Sequence, residues 1–222
     1  MLTIKYSKHF PSSMVSHIDM LRVMNRIFRR ADIEVDYSKG FNPHMLIFFS
    51  PALSLGAESC TEFVSLAVEK MRDLSVDEIN KFCPNGIVCI KTYITEKNPN
   101  LAAEIKWAKY TINANGIGKI DIDSILKRNK YEISYLEKGE QTTKDIRSYI
   151  KSIERIDDDC ITATLACGNL NLKADRFACG IMNNANIEQS EIAIKKTEMY
   201  TDTMTADEFL NQLSQNINKN NV

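Results

Sequence analysis

Residues 15–44 read VSHIDMLRVMNRIFRRADIEVDYSKGFNPH, and this stretch decides how the first part of the chain folds. Ser16 is a favourable helix N-cap, and Asp19 stands three residues later, as in a capping box with Asp in place of Glu. Apolar residues then recur at helical spacing. They predict an amphipathic helix over residues 16–31, whose core-facing stripe contains Met20, Leu21, Val23, Met24, Ile27 and Phe28.

The opposite face of this helix is rich in arginine. Arg22, Arg26, Arg29 and Arg30 fall within an arc of about 100° by helical geometry. A solvated face would accept lysine equally well, whereas planar, bidentate phosphate recognition favours arginine. We therefore expect these residues to bind phosphate groups, and the alternative is an ordinary solvated helix face.

A polar loop, residues 37–44, follows the helix. Gly40 permits a positive φ, and the residue before Pro43 is restricted to an extended conformation, so the loop has a defined shape. Polar groups on a shaped loop beside an arginine-rich helix suit a ligand that carries phosphate. The loop residues that we expect at this site are Lys39, Phe41, Asn42 and His44.

The aromatic and imidazole side chains of this stretch have two interpretations each. For Phe41 a place in the core is the simpler expectation, and stacking on a nucleic-acid base is the alternative. His17 lies on the apolar side of the helix start, which favours a buried histidine that holds the loop by a hydrogen bond. No catalytic residue is established, but His17, Tyr37 and His44 are the candidates for acid–base chemistry. A metal is not expected, because His17 and His44 lack an evident third ligand.

The motif S-H-I-D, the arginine pattern and Y-S-x-G-F-N-P-H resemble the radical SAM-linked family of uncharacterised function, DUF2344. The motif positions are Ser16, His17, Asp19, Gly40 and Pro43. The resemblance implies a partnership with a radical SAM protein. This chain has no C-x-x-x-C-x-x-C run for an iron–sulfur cluster, so we expect no cofactor here and a radical SAM partner on another chain. Weaker similarity continues at residues 143–147 and 196–200.

Composition narrows the functional classes. The chain has 222 residues, of which 44% are hydrophobic and 26% charged, as in ordinary globular proteins. Its formal net charge of -1 gives no reason to expect that the chain as a whole binds nucleic acid. Basic residues nevertheless outnumber acidic ones in residues 1–44. The six cysteines form no C-x-x-C pair, and no apolar segment could span a bilayer. We expect a cytoplasmic protein with reduced thiols and no membrane contact.

The pattern of elements predicts an α+β fold. Residues 1–97 follow the order β-α-β-β-α-β, and the order partly repeats after a linker near residues 96–100. We expect two tandem ferredoxin-like units with antiparallel sheets, one over residues 1–97 and one over residues 98–222 that includes a C-terminal helix. In the second unit, Asp145 and Arg147 alternate within a predicted strand and should point the same way, as in an ion pair.

Three functions are compatible with these features. The first is a non-catalytic accessory module that binds structured RNA, such as tRNA or rRNA, and works with a radical SAM enzyme in RNA modification. The second is a metal-independent endoribonuclease of the Cas6 type, in which an imidazole activates a 2′-hydroxyl. The third is a protein-interaction module that docks a radical SAM chain without contacting RNA, and an exposed apolar patch away from the arginine face would favour it.

Overall fold

The computed structural model describes residues 1–68, 75–137, 139–188 and 191–220, and it has the mixed α+β composition expected from the sequence. Its contacts divide the chain into two compact units, Met1–Ile105 with Thr201–Val222, and Lys106–Tyr200. The final helix thus groups with the first unit, whereas the sequence division placed it with the second. No helix in the described ranges is both long enough and apolar enough to cross a membrane.

The first unit is a helix-covered antiparallel sheet. Its strands are hydrogen-bonded in the order β4-β1-β3-β2. In chain order its elements are β1 (Leu2–Lys8), α1 (His17–Arg30), β2 (Ile47–Phe49), β3 (Glu58–Leu66), α2 (Val76–Asn80), β4 (Ile87–Ile94) and α3 (Leu101–Glu104).

The second unit contains antiparallel strands hydrogen-bonded in the order β10-β5-β9-β8, and a separate hairpin of β6 and β7. Its elements are β5 (Trp107–Asn113), α4 (Ile122–Lys127), β6 (Glu132–Glu137), β7 (Glu140–Asp145), β8 (Ile150–Arg155), β9 (Cys160–Ala166), α5 (Ala174–Asn184) and β10 (Ala193–Tyr200). The chain then returns to the first unit with α6 (Ala206–Asn220).

Asp207 explains why α6 belongs to the first unit. Its carboxylate pairs with the Lys5 ammonium of β1 at 2.5 Å and accepts a hydrogen bond from the Tyr93 hydroxyl of β4. The helix begins with a capping box, in which Thr205 and Glu208 exchange hydrogen bonds. A charge-assisted contact to two strands therefore fixes the first turn of α6 on the sheet of this unit.

The core of the first unit forms between α1 and the sheet. The buried helix residues are Met20, Met24, Ile27 and Phe28, as the apolar stripe predicts. The prediction that Leu21 faces the core was wrong, because this residue is 38% exposed. Val23 is half-buried. Helical periodicity gives the direction of the apolar stripe, but it does not show how wide a part of the helix the core covers, and Leu21 and Val23 lie at the two edges of the stripe.

The N-cap of α1 is confirmed. The Ser16 hydroxyl oxygen accepts a hydrogen bond from the Asp19 backbone N–H at 3.2 Å, and the hydroxyl donates to the Asp19 carboxylate at 2.8 Å. These bonds satisfy one of the amide groups that the first helical turn leaves without a partner.

Ser16→Ala should therefore lower the free energy of unfolding by about 1 kcal/mol, because alanine removes the cap. Urea titration followed by circular dichroism measures the change. Ser16→Asp is the matched control, since its carboxylate can cap the same N–H, and it should recover most of the loss. Equal stability of the alanine variant and the unsubstituted protein would contradict this account of the helix start.

Candidate nucleic-acid interface

The polar face of α1 is exposed, and its four arginines have different surroundings. Arg22 forms an exposed ion pair with Asp19 at 2.8 Å. Hydrogen bonds from Ser16 and Arg22 hold the pKa of the Asp19 carboxyl below its ordinary value. Within the described part of the chain, Arg26 and Arg30 form no ion pair or side-chain hydrogen bond. No described carboxylate therefore neutralises these two guanidinium groups.

Arg26 and Arg30 line a cavity of about 290 Å³ beside α1. Lys81, which follows α2, contributes a third cation, and none of the described residues that line the cavity is acidic. Clustered cations without a local carboxylate favour a bound phosphate or carboxylate. Sequence reasoning missed Lys81, because only the packing of the chain after α2 against α1 brings it to the arginines. The apolar part of the lining is Val23, Ile27, Phe82, Cys83 and Pro84.

The loop after α1 is a closed, ordered projection. Tyr37 and Met45 form an antiparallel bridge, and the Ser38 N–H donates to the His44 carbonyl oxygen at 2.8 Å. The Ser38 hydroxyl also lies 2.9 Å from His44 Nδ1. Gly40 has a φ of 142°, a conformation that favours glycine. The residues between the closing pair are exposed: Lys39, Gly40, Phe41, Asn42 and Pro43.

Phe41 stands at the tip of this loop with its ring in solvent. The expectation that it fills the core was wrong, because its relative exposure is 101%. Hydrophobicity alone could not reveal this, since the loop closure between Ser38 and His44 turns the intervening residues away from the protein. An exposed aromatic ring on a loop whose base is closed by hydrogen bonds is a suitable platform for base stacking.

One contact joins the helix to the loop. The Arg29 guanidinium donates a hydrogen bond to the Tyr37 hydroxyl oxygen at 3.5 Å. By helical geometry, Arg29 and Arg22 mark one edge of the arginine arc, and Arg26 and Arg30 mark the other. The arginine face and the loop are thus contiguous at the C-terminal end of α1.

His17 lies elsewhere on the first unit. It is exposed, and its ring packs edge-on against Phe49 with 5.1 Å between centroids, so the expectation of a buried histidine was wrong. Along the helix axis His17 is about 18 Å from Arg29, at 1.5 Å per residue. The structure therefore places His17 apart from the loop that carries Tyr37 and His44. Among the described residues, no group of three or more His, Cys, Asp or Glu side chains is placed to hold a metal ion.

Asp145 and Arg147 do not form the predicted ion pair within one strand. Asp145 ends β7 and accepts hydrogen bonds from the backbone N–H groups of Tyr131 and Arg147, at 2.9 and 3.0 Å. The Arg147 guanidinium instead donates to the carbonyl oxygens of Leu126 and Ile150. Strand alternation failed here because a short 3-10 turn, Arg147–Tyr149, interrupts the chain. Both side chains stabilise the loops around the β6–β7 hairpin.

This arrangement predicts a pH dependence of stability. The backbone N–H groups of Arg147 and Tyr131 lower the pKa of Asp145. A carboxyl with a lowered pKa in the folded state contributes stability above its unfolded pKa, about 3.9, and loses it as the pH falls through the folded value. Asp145→Asn should therefore destabilise the protein near neutral pH and have little effect in acid. Urea unfolding at several pH values measures this, and an equal effect at every pH would contradict it.

Comparison with known proteins gives a family but no named relative. No curated protein matches the chain. A protein-family profile described as "Uncharacterized protein conserved in bacteria (DUF2344)" matches residues 1–174, which include the arginine face, the loop and the hairpin. The matched part is well over half of the 222 residues. The chain therefore belongs to the DUF2344 family.

Proposed function

We propose that this protein is a non-catalytic accessory module that binds structured RNA, such as tRNA or rRNA. The observation that carries the proposal is the Arg29–Tyr37 contact, which makes the arginine face and the exposed loop one continuous surface. An RNA ligand needs both parts of such a surface. Cations bind the phosphate backbone and supply affinity, whereas loop side chains reach unstacked bases and supply selectivity.

In this proposal, the cations and the loop side chains bind different parts of the RNA. Arg26, Arg30 and Lys81 would bind backbone phosphate at the cavity beside α1. Phe41 would stack on a base, and Asn42 at the same tip offers an amide donor and acceptor for base edges. His44 is exposed, and the bond between Ser38 and His44 Nδ1 orients its ring. A single-stranded loop of a folded RNA fits this combination better than a regular duplex.

We further propose that the module positions RNA for a radical SAM enzyme that modifies it. The support is the resemblance of the S-H-I-D and G-F-N-P-H motifs to the radical SAM-linked family. The chain itself has no C-x-x-x-C-x-x-C run, so the radical chemistry would belong to the partner. In this proposal the module contributes substrate binding and orientation, and it contributes no reacting group.

We also propose that both units are ferredoxin-like. In the first unit, elements in the order β-α-β-β-α-β form a sheet in the order β4-β1-β3-β2. The second unit repeats this pattern with β5, α4, β8, β9, α5 and β10, and the β6–β7 hairpin stands after its first helix. An experimental structure with another strand order in either unit would contradict the assignment.

RNA binding at rising salt tests the proposed function. If three or four cations contact phosphate, the logarithm of affinity should fall with the logarithm of salt concentration with a slope of about -2 to -4. Fluorescence anisotropy with labelled tRNA and rRNA fragments measures this slope. Absence of binding, or affinity that does not respond to salt, would contradict RNA binding through this surface.

The same RNA should remain intact after long incubation with the protein. His17 lies far along α1 from Tyr37 and His44, so the described residues do not assemble the three-residue acid–base group expected of an endoribonuclease. Gel analysis of total RNA with and without the protein measures this. Specific cleavage that is lost in His44→Ala would instead support the endoribonuclease alternative.

A second candidate function, docking of a partner protein, is favoured by a separate observation. Four apolar side chains near the start of α1 are 59–74% exposed. Their segments are adjacent, because the Gly56 N–H donates to the Ser13 carbonyl oxygen at 3.0 Å. Exposed apolar clusters mark protein-binding sites. The four residues are Phe10, Met14, Ile18 and Leu55.

In this candidate function the apolar cluster would hold the radical SAM chain while the arginine face holds RNA. Co-purification with the radical SAM protein of the same genome, in the presence of nuclease, tests it. Ile18→Ser should abolish co-purification, whereas Arg26→Ala should not. Co-purification that nuclease removes would show that RNA, and not the apolar cluster, joins the two proteins.

A further inference from the structure

Two cysteine side chains meet where α2 packs against β4. Cys83 follows α2 and is half-buried, whereas Cys89 is buried in β4, and their Sγ atoms lie 3.8 Å apart. Bonded disulfide sulfurs are about 2 Å apart. The two thiols are therefore within a small side-chain movement of bonding distance.

Asn80 holds this pair in place. Its side-chain oxygen accepts a hydrogen bond from the Cys89 N–H at 2.7 Å, and its amide N–H donates to the Cys89 carbonyl oxygen at 2.9 Å. Because Asn80 belongs to α2 and Cys89 to β4, these two bonds fix the end of the helix along the strand. The Asn80 side chain thus holds the segment that carries Cys83 close to Cys89.

The two thiols differ in reactivity. The hydrogen bond from the Cys89 thiol lowers the pKa of Cys83, although burial acts in the opposite direction. The same bond, together with burial, raises the pKa of Cys89. Cys83 is also the more exposed thiol, whereas Cys89 is buried, so Cys83 is placed to attack a small disulfide and Cys89 to resolve the product. Cys83 also lines the cavity that holds Arg26, Arg30 and Lys81.

We propose that Cys83 and Cys89 form a redox-active dithiol that reacts with anionic low-molecular-weight disulfides of the glutathione type. The Cys83 thiolate attacks one sulfur of the small disulfide, whose S–S bond breaks, and one small thiolate leaves. The Cys89 thiol then loses its proton to solvent and attacks the Cys83 sulfur, which releases the second small thiolate. The protein dithiol loses two electrons, and the small disulfide becomes two thiols.

The cavity cations explain the choice of an anionic disulfide. The carboxylates of glutathione disulfide would be attracted to Arg26, Arg30 and Lys81, which line the same cavity as Cys83. A cationic disulfide of similar size, such as cystamine, would be repelled by the same groups. This inference uses the cavity as an anion site but does not depend on RNA binding.

Mass spectrometry of the reduced, full-length protein mixed with glutathione disulfide tests the proposal. Peptide mapping should show a Cys83–Cys89 disulfide in the unsubstituted protein. Cys89→Ser should instead accumulate one glutathione on Cys83, because the resolving thiol is absent, and Cys83→Ser should leave Cys89 unreacted. The rate with glutathione disulfide should exceed that with cystamine about tenfold, each relative to free cysteine, and added salt should reduce the difference.

Cys179 is the matched control, because it is also half-buried and its pKa is raised by burial and by Asp175. Cys179→Ser should react like the unsubstituted protein. Peptide mapping of the unsubstituted protein compares the oxidation of Cys83 with that of Cys179 directly. This comparison does not require any variant to fold. Oxidation of Cys83 no faster than that of Cys179, or equal relative rates for the two disulfides, would overturn the proposal.

Discussion

Replacing Arg26 and Arg30 together with alanine should weaken RNA binding at least about 100-fold. Each guanidinium–phosphate contact is a charge-assisted hydrogen bond of about 1.5–3 kcal/mol, and about 1.4 kcal/mol corresponds to a factor of ten in affinity. The salt dependence should weaken as well, because two fewer phosphates are neutralised and the slope should fall by about 1.5. Anisotropy titrations at several salt concentrations measure both quantities.

The matched control for this variant removes two positive charges from the second unit. Lys127 and Arg155 are exposed and lie outside the cavity and the loop. The double variant Lys127→Ala/Arg155→Ala should retain nearly the full affinity and salt slope. If both double variants weaken binding equally, net charge and not the arginine face of α1 governs binding. If neither variant weakens it, RNA binds elsewhere or not at all.

The second large expected effect is on the free energy of unfolding. It should differ between substitutions of Phe28 and of Phe41. Phe28 on α1 is fully buried, so Phe28→Ala should lower the free energy of unfolding by about 3–5 kcal/mol. That loss is a large part of the roughly 5–15 kcal/mol that stabilises an ordinary domain. Phe41→Ala should change stability by no more than about 0.5 kcal/mol, because its ring is already in solvent.

Phe41→Ala should weaken RNA binding without destabilising the folded protein. Loss of a stacked base costs about 1–3 kcal/mol, so Phe41→Ala should reduce affinity about tenfold or more. Urea titrations and anisotropy on the same preparations give the two results together. A destabilised Phe41→Ala variant would show that the loop tip packs in the folded protein. Unchanged affinity of a stable variant would remove the stacking role.

The features that depend on residues close together in the sequence could be predicted from it. The cap at Ser16, the apolar stripe of α1 and the closed loop around Gly40 follow from neighbours within a few residues. The arginine face was equally predictable, because helical geometry alone places its members. These features include most of the candidate site.

Features that depend on distant contacts could not be predicted. Lys81 joins the arginines only because the chain after α2 packs beside α1, and the pairing of Lys5 with Asp207 spans most of the chain. The position of His17 likewise depends on a distant contact, since its ring packs against Phe49 of β2, which a hydrophobic pattern does not encode.

Photo-crosslinking tests the central claim, that the arginine face of α1 and the exposed loop bind one RNA. RNA carrying 4-thiouridine is irradiated with the protein, and the crosslinked peptides are identified by mass spectrometry. The account predicts crosslinks in the peptide that contains Phe41 and in peptides of α1 that contain Arg26 and Arg30, all competed by unlabelled RNA. Crosslinks confined to residues 106–200, with none in α1 or the loop, would contradict it.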